Sequence, residues 1–246
     1  MAKRMFIIWL LALVGMTVEM QAQTYGRGDV NGDGEVTLAD LTKLASILVG
    51  RHEYVDLALP SGTLWATTNI GAYFPEDNGL YFSFGEVAEK EEYSWSTYKW
   101  CNGTNRTLTK YCHSQYYGTV DNRQELEMED DAASDLWGVE WYVPADWQFE
   151  EILNTEYVTP VWTTLNGVKG LLVTSLTNGN SIFLPAAGYR SGLSTTGQGN
   201  NGIYRSRTVA PNNPCNSKNL FFSSNSKNVG LTNYDYGLSV RPVRDQ

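Results

Sequence analysis

Residues 29–40 read Asp-Val-Asn-Gly-Asp-Gly-Glu-Val-Thr-Leu-Ala-Asp, with oxygen donors at the first, third, fifth, seventh, ninth and twelfth positions and Gly at the sixth. Hard oxygen ligands at that spacing, folded around a glycine turn, are the chemistry of a Ca2+ loop. Asp29, Asn31 and Asp33 offer side-chain oxygens and Glu35 its backbone carbonyl. Thr37 reaches the ion through a water, and Asp40 closes the sphere. The element that positions the last two is also legible. Thr37 followed three residues later by Asp40 gives a capping-box-like helix start, Leu41, Leu44, Ala45 and Leu48 recur at helical spacing, and Gly50 ends the pattern. So small a unit cannot bury its own leucine stripe, so Leu41, Leu44 and Leu48 are expected to pack on the rest of the chain or on a partner.

Other reactive constellations are sparse. There are two His and no Cys-x-x-Cys pair, which leaves zinc and dithiol chemistry without support. Cys112-His113 are adjacent, and neighbours in a strand point to opposite faces, so they could not easily share a proton. Glu86, Asp130, Asp131, Glu150 and Glu151 could supply a glycosidase pair by number. Their contexts read otherwise: Glu129-Asp130-Asp131 starts a helix and Glu150-Glu151 lies on a solvated face. No catalytic residue is assigned. With 18 Lys+Arg against 27 Asp+Glu and a net charge of −9, the chain lacks the positive field that neutralises nucleic-acid phosphates. Its 42% hydrophobic and 13% aromatic content is enough to order a core.

The N-terminus reads as an address. Lys3 and Arg4 precede an apolar run from Phe6 to Val14, and Ala22 offers a small residue for cleavage, so residues 1–22 are expected to be a secretory signal peptide. The run is shorter than the roughly 20 residues that span a bilayer. The product is therefore expected outside the cytoplasm, secreted, at the cell surface or in the periplasm, and not membrane-spanning. Losing Lys3, Arg4 and Glu19 moves the charge from −9 to −10. In an oxidising compartment Cys101 and Cys112 could close a short loop and leave Cys215 over, or all three could stay free thiols.

Between residues 55 and 244 the pattern is mixed, with short strands, many Gly and Asn turns and few helices. Strands are expected at Leu80–Phe84, Val168–Thr174, Ser181–Pro185 and Leu238–Val243, with Asn178-Gly179 joining the middle two as a hairpin. Helices are expected near Glu129–Leu136 and Asp146–Leu153. The Ser-, Asn- and Gly-dense stretch 191–233 reads as loops.

Two resemblances follow from these residues. The calcium loop with Asp in place of Glu at its twelfth position, an exit helix, and Tyr25-Gly26-Arg27-Gly28 where an entering helix would stand, resembles the dockerin repeat over residues 25–51. That implies Ca2+ and a cohesin partner. Dockerins pack two repeats and one occurs here, and Leu38 and Ala39 stand at the hydroxyl pair that contacts cohesin, so a structural element is expected in place of a working plug.

The second resemblance rests on Val55–Thr67, Tyr81-Phe82-Ser83-Phe84-Gly85-Glu86, Glu129–Ala133 with Trp137-Gly138, Trp141–Pro144, Phe183–Arg190 and Gly237–Val243. In that order they look like the Fibrobacter succinogenes major paralogous domain, which is similar to the C-type-lectin-like and formylglycine-generating-enzyme superfamily. The resemblance implies an α+β, C-type-lectin-like domain over 55–244, with short strands, two short helices and long loops that present a variable surface. Cys215 stands alone where the enzymes need a Cys pair, and the Glu-Pro-Asn and Trp-Asn-Asp sugar motifs of calcium-dependent lectins are missing. The expected function is non-catalytic binding of a glycan or a surface protein. Candidate ligand residues are Trp95, Trp100, Tyr204, Arg205, Arg207, Asn212, Asn213, Asn216 and Tyr234, aromatic or polar side chains in polar contexts. Two alternatives stay open: a component of a polysaccharide-degrading assembly, with or without hydrolase activity, and a receptor diversified by a retroelement.

Overall fold

The computed structural model describes residues 36–38, 40, 41, 44 and 52–246. The chain divides into two compact units, Met1–His52 and Glu53–Gln246. In the first, Leu38, Asp40, Leu41 and Leu44 are helical. The Thr37 N–H donates to Asp40 Oδ2 at 2.6 Å, the bond that the capping-box spacing predicts. Asp40 is buried and Leu41 is exposed. Asp29, Asn31, Asp33, Glu35, Leu48 and the whole of 1–22 lie outside the described residues.

The second unit is α+β and strand-rich. Its strands are β1 (Tyr54–Asp56), β2 (Leu64–Ala66), β3 (Tyr81–Phe82), β4 (Val158–Leu165), β5 (Val168–Ser175), β6 (Ser181–Pro185), β7 (Tyr189–Ser191), β8 (Ser194–Thr196), β9 (Asn201–Val209), β10 (Asn216–Ser223), β11 (Lys227–Asn233), β12 (Leu238–Ser239) and β13 (Val243–Arg244). Two six-residue helices, α1 (Ala132–Trp137) and α2 (Asp146–Glu151), lie between β3 and β4. The sheets run β1-β2-β13, β11-β10-β9-β12-β3, β4-β5-β6 and β7-β8. All pairs are antiparallel except β9 with β12.

Helix α1 starts where its acids predict. Asp131 caps it, with Oδ1 accepting from the N–H groups of Ala133 and Ser134 at 2.9 and 3.0 Å, while Oδ2 accepts from Val143 N at 2.8 Å. The β5–β6 hairpin forms around Asn178-Gly179. A second hairpin, β4–β5, turns on Asn166 and Gly167 with φ of +47° and +84°, the left-handed pair that a tight hairpin turn requires.

Two expectations are corrected. Leu238–Val243 is split between β12 and β13, which belong to different sheets. The stretch 191–233 contains β8 to β11, including three strands of the five-stranded sheet. Its buried positions include Arg205, Ser206, Ser217 and Asn219 beside Tyr204, Leu220 and Phe222, so polar side chains interrupt the apolar alternation by which a strand is usually read. The main core joins α2 to the sheets through Leu57, Trp65, Phe149, Leu171, Leu184 and Phe222.

Candidate functional site

The residues singled out as ligand-binding do not converge on one surface. Tyr204, Arg205 and Tyr234 are interior side chains, at 0, 1 and 1% exposure. Tyr234 stacks on Phe84 at 4.6 Å in an aromatic cluster with Tyr98 and Tyr111. Trp95 and Trp100 are half-buried against the same cluster. Trp100 donates from Nε1 to Gly85 O at 2.7 Å, with the Lys99 and Lys110 ammoniums 4.2 and 4.7 Å from its ring centre. Arg207 pairs with Glu125 at 3.0 Å and lies over the Tyr142 ring. Asn212 and Asn213 are exposed in the β9–β10 connection, and Asn216 meets Asn233 across the β10–β11 pair.

The acids considered for catalysis are held elsewhere. Glu86 pairs with Lys90 at 2.9 Å, and Asp130 with Lys110, Lys99 and the Tyr111 hydroxyl. Glu151 accepts from Ser61 N and Oγ. The three Cys are free thiols: Cys101 Sγ donates to Trp95 O, Cys112 to Ser114 O and Cys215 to Asn105 O. Burial pushes the Cys215 thiol up to about 12. His113 meets Gln124 at 3.0 Å, apart from the Cys112 bond.

A cleft of about 560 Å³ opens elsewhere, walled by residues 76–78, 167–169, 186 and 198–200. Its volume is that of a small-ligand site. Three turns bring the walls together. In the first, Asp77 Oδ2 accepts from Tyr73 N at 3.1 Å and Phe74 N at 2.9 Å, closing the 73–77 turn. The second is the β4–β5 turn, tied to the first by Asn166 Nδ2 donating to Glu76 Oε1 at 2.7 Å. The third carries Gln198, Gly199 and Asn200, and is fixed to the floor by Gly199 N donating to Ala186 O at 2.8 Å.

Beneath the cleft lies a buried polar network. Arg241, 0% exposed, donates to Asn69 Oδ1 and to the carbonyls of Ala66, Thr67, Pro75 and Phe183 at 2.8–3.5 Å. Asn69 Nδ2 donates to the carbonyls of Asp77 and Asn78, and Ser239 Oγ also donates to Asn78 O. Tyr204 Oη accepts from Asn69 and donates to Pro185 O, one residue before the floor at Ala186. Burial lowers the Arg241 pKa to about 10 and raises that of Tyr204, and neither has a role at the surface. Tyr204 thus supports a site it does not touch.

The cleft rim is chemically uncommitted. Lys169, Gln198 and Asn200 are exposed, and Asn78 is half-buried. Their side-chain polar groups make no hydrogen bond or ion pair among the described residues. The sequence reading missed these residues. The available signal was the turn chemistry of Asn78-Gly79, Asn166-Gly167 and Gly197–Asn200, which marks three loops but not their convergence.

Of the residues expected to ligate calcium, Thr37 and Asp40 are described. Their hydrogen bond sets the Asp40 carboxylate at the helix start, which fits a twelfth-position ligand. Among the described residues no helix is long and apolar enough to cross a membrane, and no three His, Cys, Asp or Glu side chains cluster to hold a metal. No family model, curated protein or solved structure matches the chain.

Proposed function

We propose that the chain is an exported, non-catalytic binding protein whose C-type-lectin-like second unit holds a glycan in the 76–78, 167–169, 198–200 cleft. One observation carries this reading: uncommitted Asn78, Lys169, Gln198 and Asn200 ring a concave site on a fully hydrogen-bonded floor. A side-chain amide both donates and accepts, and so does a sugar hydroxyl, so an array of amides matches a polyhydroxylated ligand. Fixing the turns before binding lowers the ordering cost that a weak polar site must overcome. A protein ligand is the poorer match, because among the described residues the rim carries neither the aromatic nor the Arg anchors that dominate protein interfaces. Fold resemblance alone would not decide the matter.

In the first unit we propose that Asp29, Asn31, Asp33, Glu35, Thr37 and Asp40 hold Ca2+ as a structural ion, and Leu38 and Ala39 at the hydroxyl-pair positions argue against a cohesin partner.

A glycan array with the wild type and two double variants tests the reading. Gln198→Ala with Asn200→Ala removes binding, and Asn212→Ala with Asn213→Ala leaves it intact. The reverse pattern moves the site to the β9–β10 connection, and an array without signal retires the glycan reading.

A further inference from the structure

We infer that the cleft selects uncharged sugars and rejects those bearing carboxylate or sulfate groups, an inference that rests on the glycan reading above. Three features of the lining lead to it. Among the described residues of the lining, Glu76 and Asp77 set two carboxylates against the one ammonium of Lys169, inside a chain of net charge −9, so an anionic ligand enters against the local and the overall field. Among the described residues no Arg lines the cleft, and the guanidinium fork is the group that grips carboxylate and sulfate in two-point geometry. Lys169 is a hydrated, exposed point charge, and one such contact gains little against its side-chain entropy.

The acceptor inventory points the same way. Asp77 spends Oδ2 on Tyr73 N and Phe74 N, and Oδ1 has no hydrogen-bond partner among the described residues. A carboxylate only accepts, so a ligand hydroxyl satisfies it and a ligand carboxylate repels it. Asn78, Gln198 and Asn200 then offer donors and acceptors to the neighbouring hydroxyls. The sugar that fits presents adjacent free hydroxyls and no acid.

Calorimetric titration of the full chain with two ligand series at low and high salt tests this. The neutral series comprises gluco-, manno-, galacto- and xylo-oligosaccharides, and the acidic series oligogalacturonate and heparin fragments. Expected are binding of at least one neutral series, with affinity constant within about twofold across salt, and acidic binding roughly tenfold weaker or undetected. Asn200→Arg, an exposed change that supplies the missing fork, raises the acidic affinity and makes it salt-sensitive. Tighter binding of the acidic series to the wild type, weakening with salt, overturns the selectivity and leaves the glycan reading standing. Binding of neither series overturns both.

Discussion

Asp235 is buried at 4% exposure, and its Oδ1 has no hydrogen-bond partner among the described residues. The neighbouring Arg205 guanidinium is committed elsewhere, donating to Ser217 Oγ and to the carbonyls of Phe82 and Tyr236. Burial is the largest influence and raises the Asp235 pKa to about 6; Arg205 and Lys90 pull it down and Glu86 pushes it up. A carboxyl with a higher pKa folded than unfolded binds its proton more tightly in the native state. Its contribution therefore favours folding at low pH and is lost as pH rises from about 4 through about 6. Two pKa units at about 1.4 kcal/mol each give a penalty of about 3 kcal/mol at pH 7.5. Asp235→Asn removes the buried charge and keeps the shape. It should raise the melting temperature at pH 7.5 by roughly 6–12 °C for a unit of this size and change it little near pH 4. Thermal melts of both proteins across that range, followed by circular dichroism, measure the difference. Destabilisation by Asp235→Asn at pH 7.5 with none at pH 4 would refute the reasoning, because it would mean that the anion is held as a net-favourable pair with Arg205.

Arg241→Met leaves four backbone carbonyls and Asn69 Oδ1 without their donor and relieves the burial of one charge; urea denaturation should show a net loss of about 3 kcal/mol or more. Asn166→Ala loses the Glu76 bond and forces alanine to φ +47°, costing about 2 kcal/mol, whereas Asn166→Gly keeps the turn and costs about half that; equal losses would remove backbone strain from the account. Gly188→Ala should unfold or strongly destabilise the unit, since its φ is +65° and a Cβ there would overlap Thr196 O; an unchanged denaturation midpoint would contradict the packing beside the cleft. Calorimetric titration with Ca2+ should give a single binding event that Asp29→Ala abolishes, and a titration without heat would end the calcium reading.

Much of the local structure was legible from neighbours in the chain. The cap of α1 at Asp131, the hairpin at Asn178-Gly179 and the Thr37–Asp40 helix start each depend on residues two to five apart, so residue type and spacing suffice to predict them. The β4–β5 turn at Asn166-Gly167 carried the same kind of signal. Strands β9 to β11 did not. They bury Arg205, Ser217 and Asn219, whose partners are Ser217 and the Phe82 and Tyr236 carbonyls for Arg205 and Thr232 for Asn219, and no pattern of immediate neighbours announces such partners.

Tyr204 shows where sequence reasoning stops. A tyrosine between an isoleucine and an arginine in a Ser- and Asn-rich stretch reads as a surface ring. It is interior because Asn69, 135 residues away, gives its hydroxyl a donor and Pro185 an acceptor. By itself the sequence determined the apolar N-terminal run after Lys3 and Arg4, the spacing of oxygen donors over 29–40, the acidic charge balance and the turns. Tertiary structure alone decided which polar residues are framework and which are rim. Arg241 and Lys169 are both basic side chains, but five acceptors from three distant segments bury the first, while the second is left exposed beside a cleft that three separate turns create. Exposure follows from which partners the fold brings within hydrogen-bond reach, and a residue's type does not carry that information.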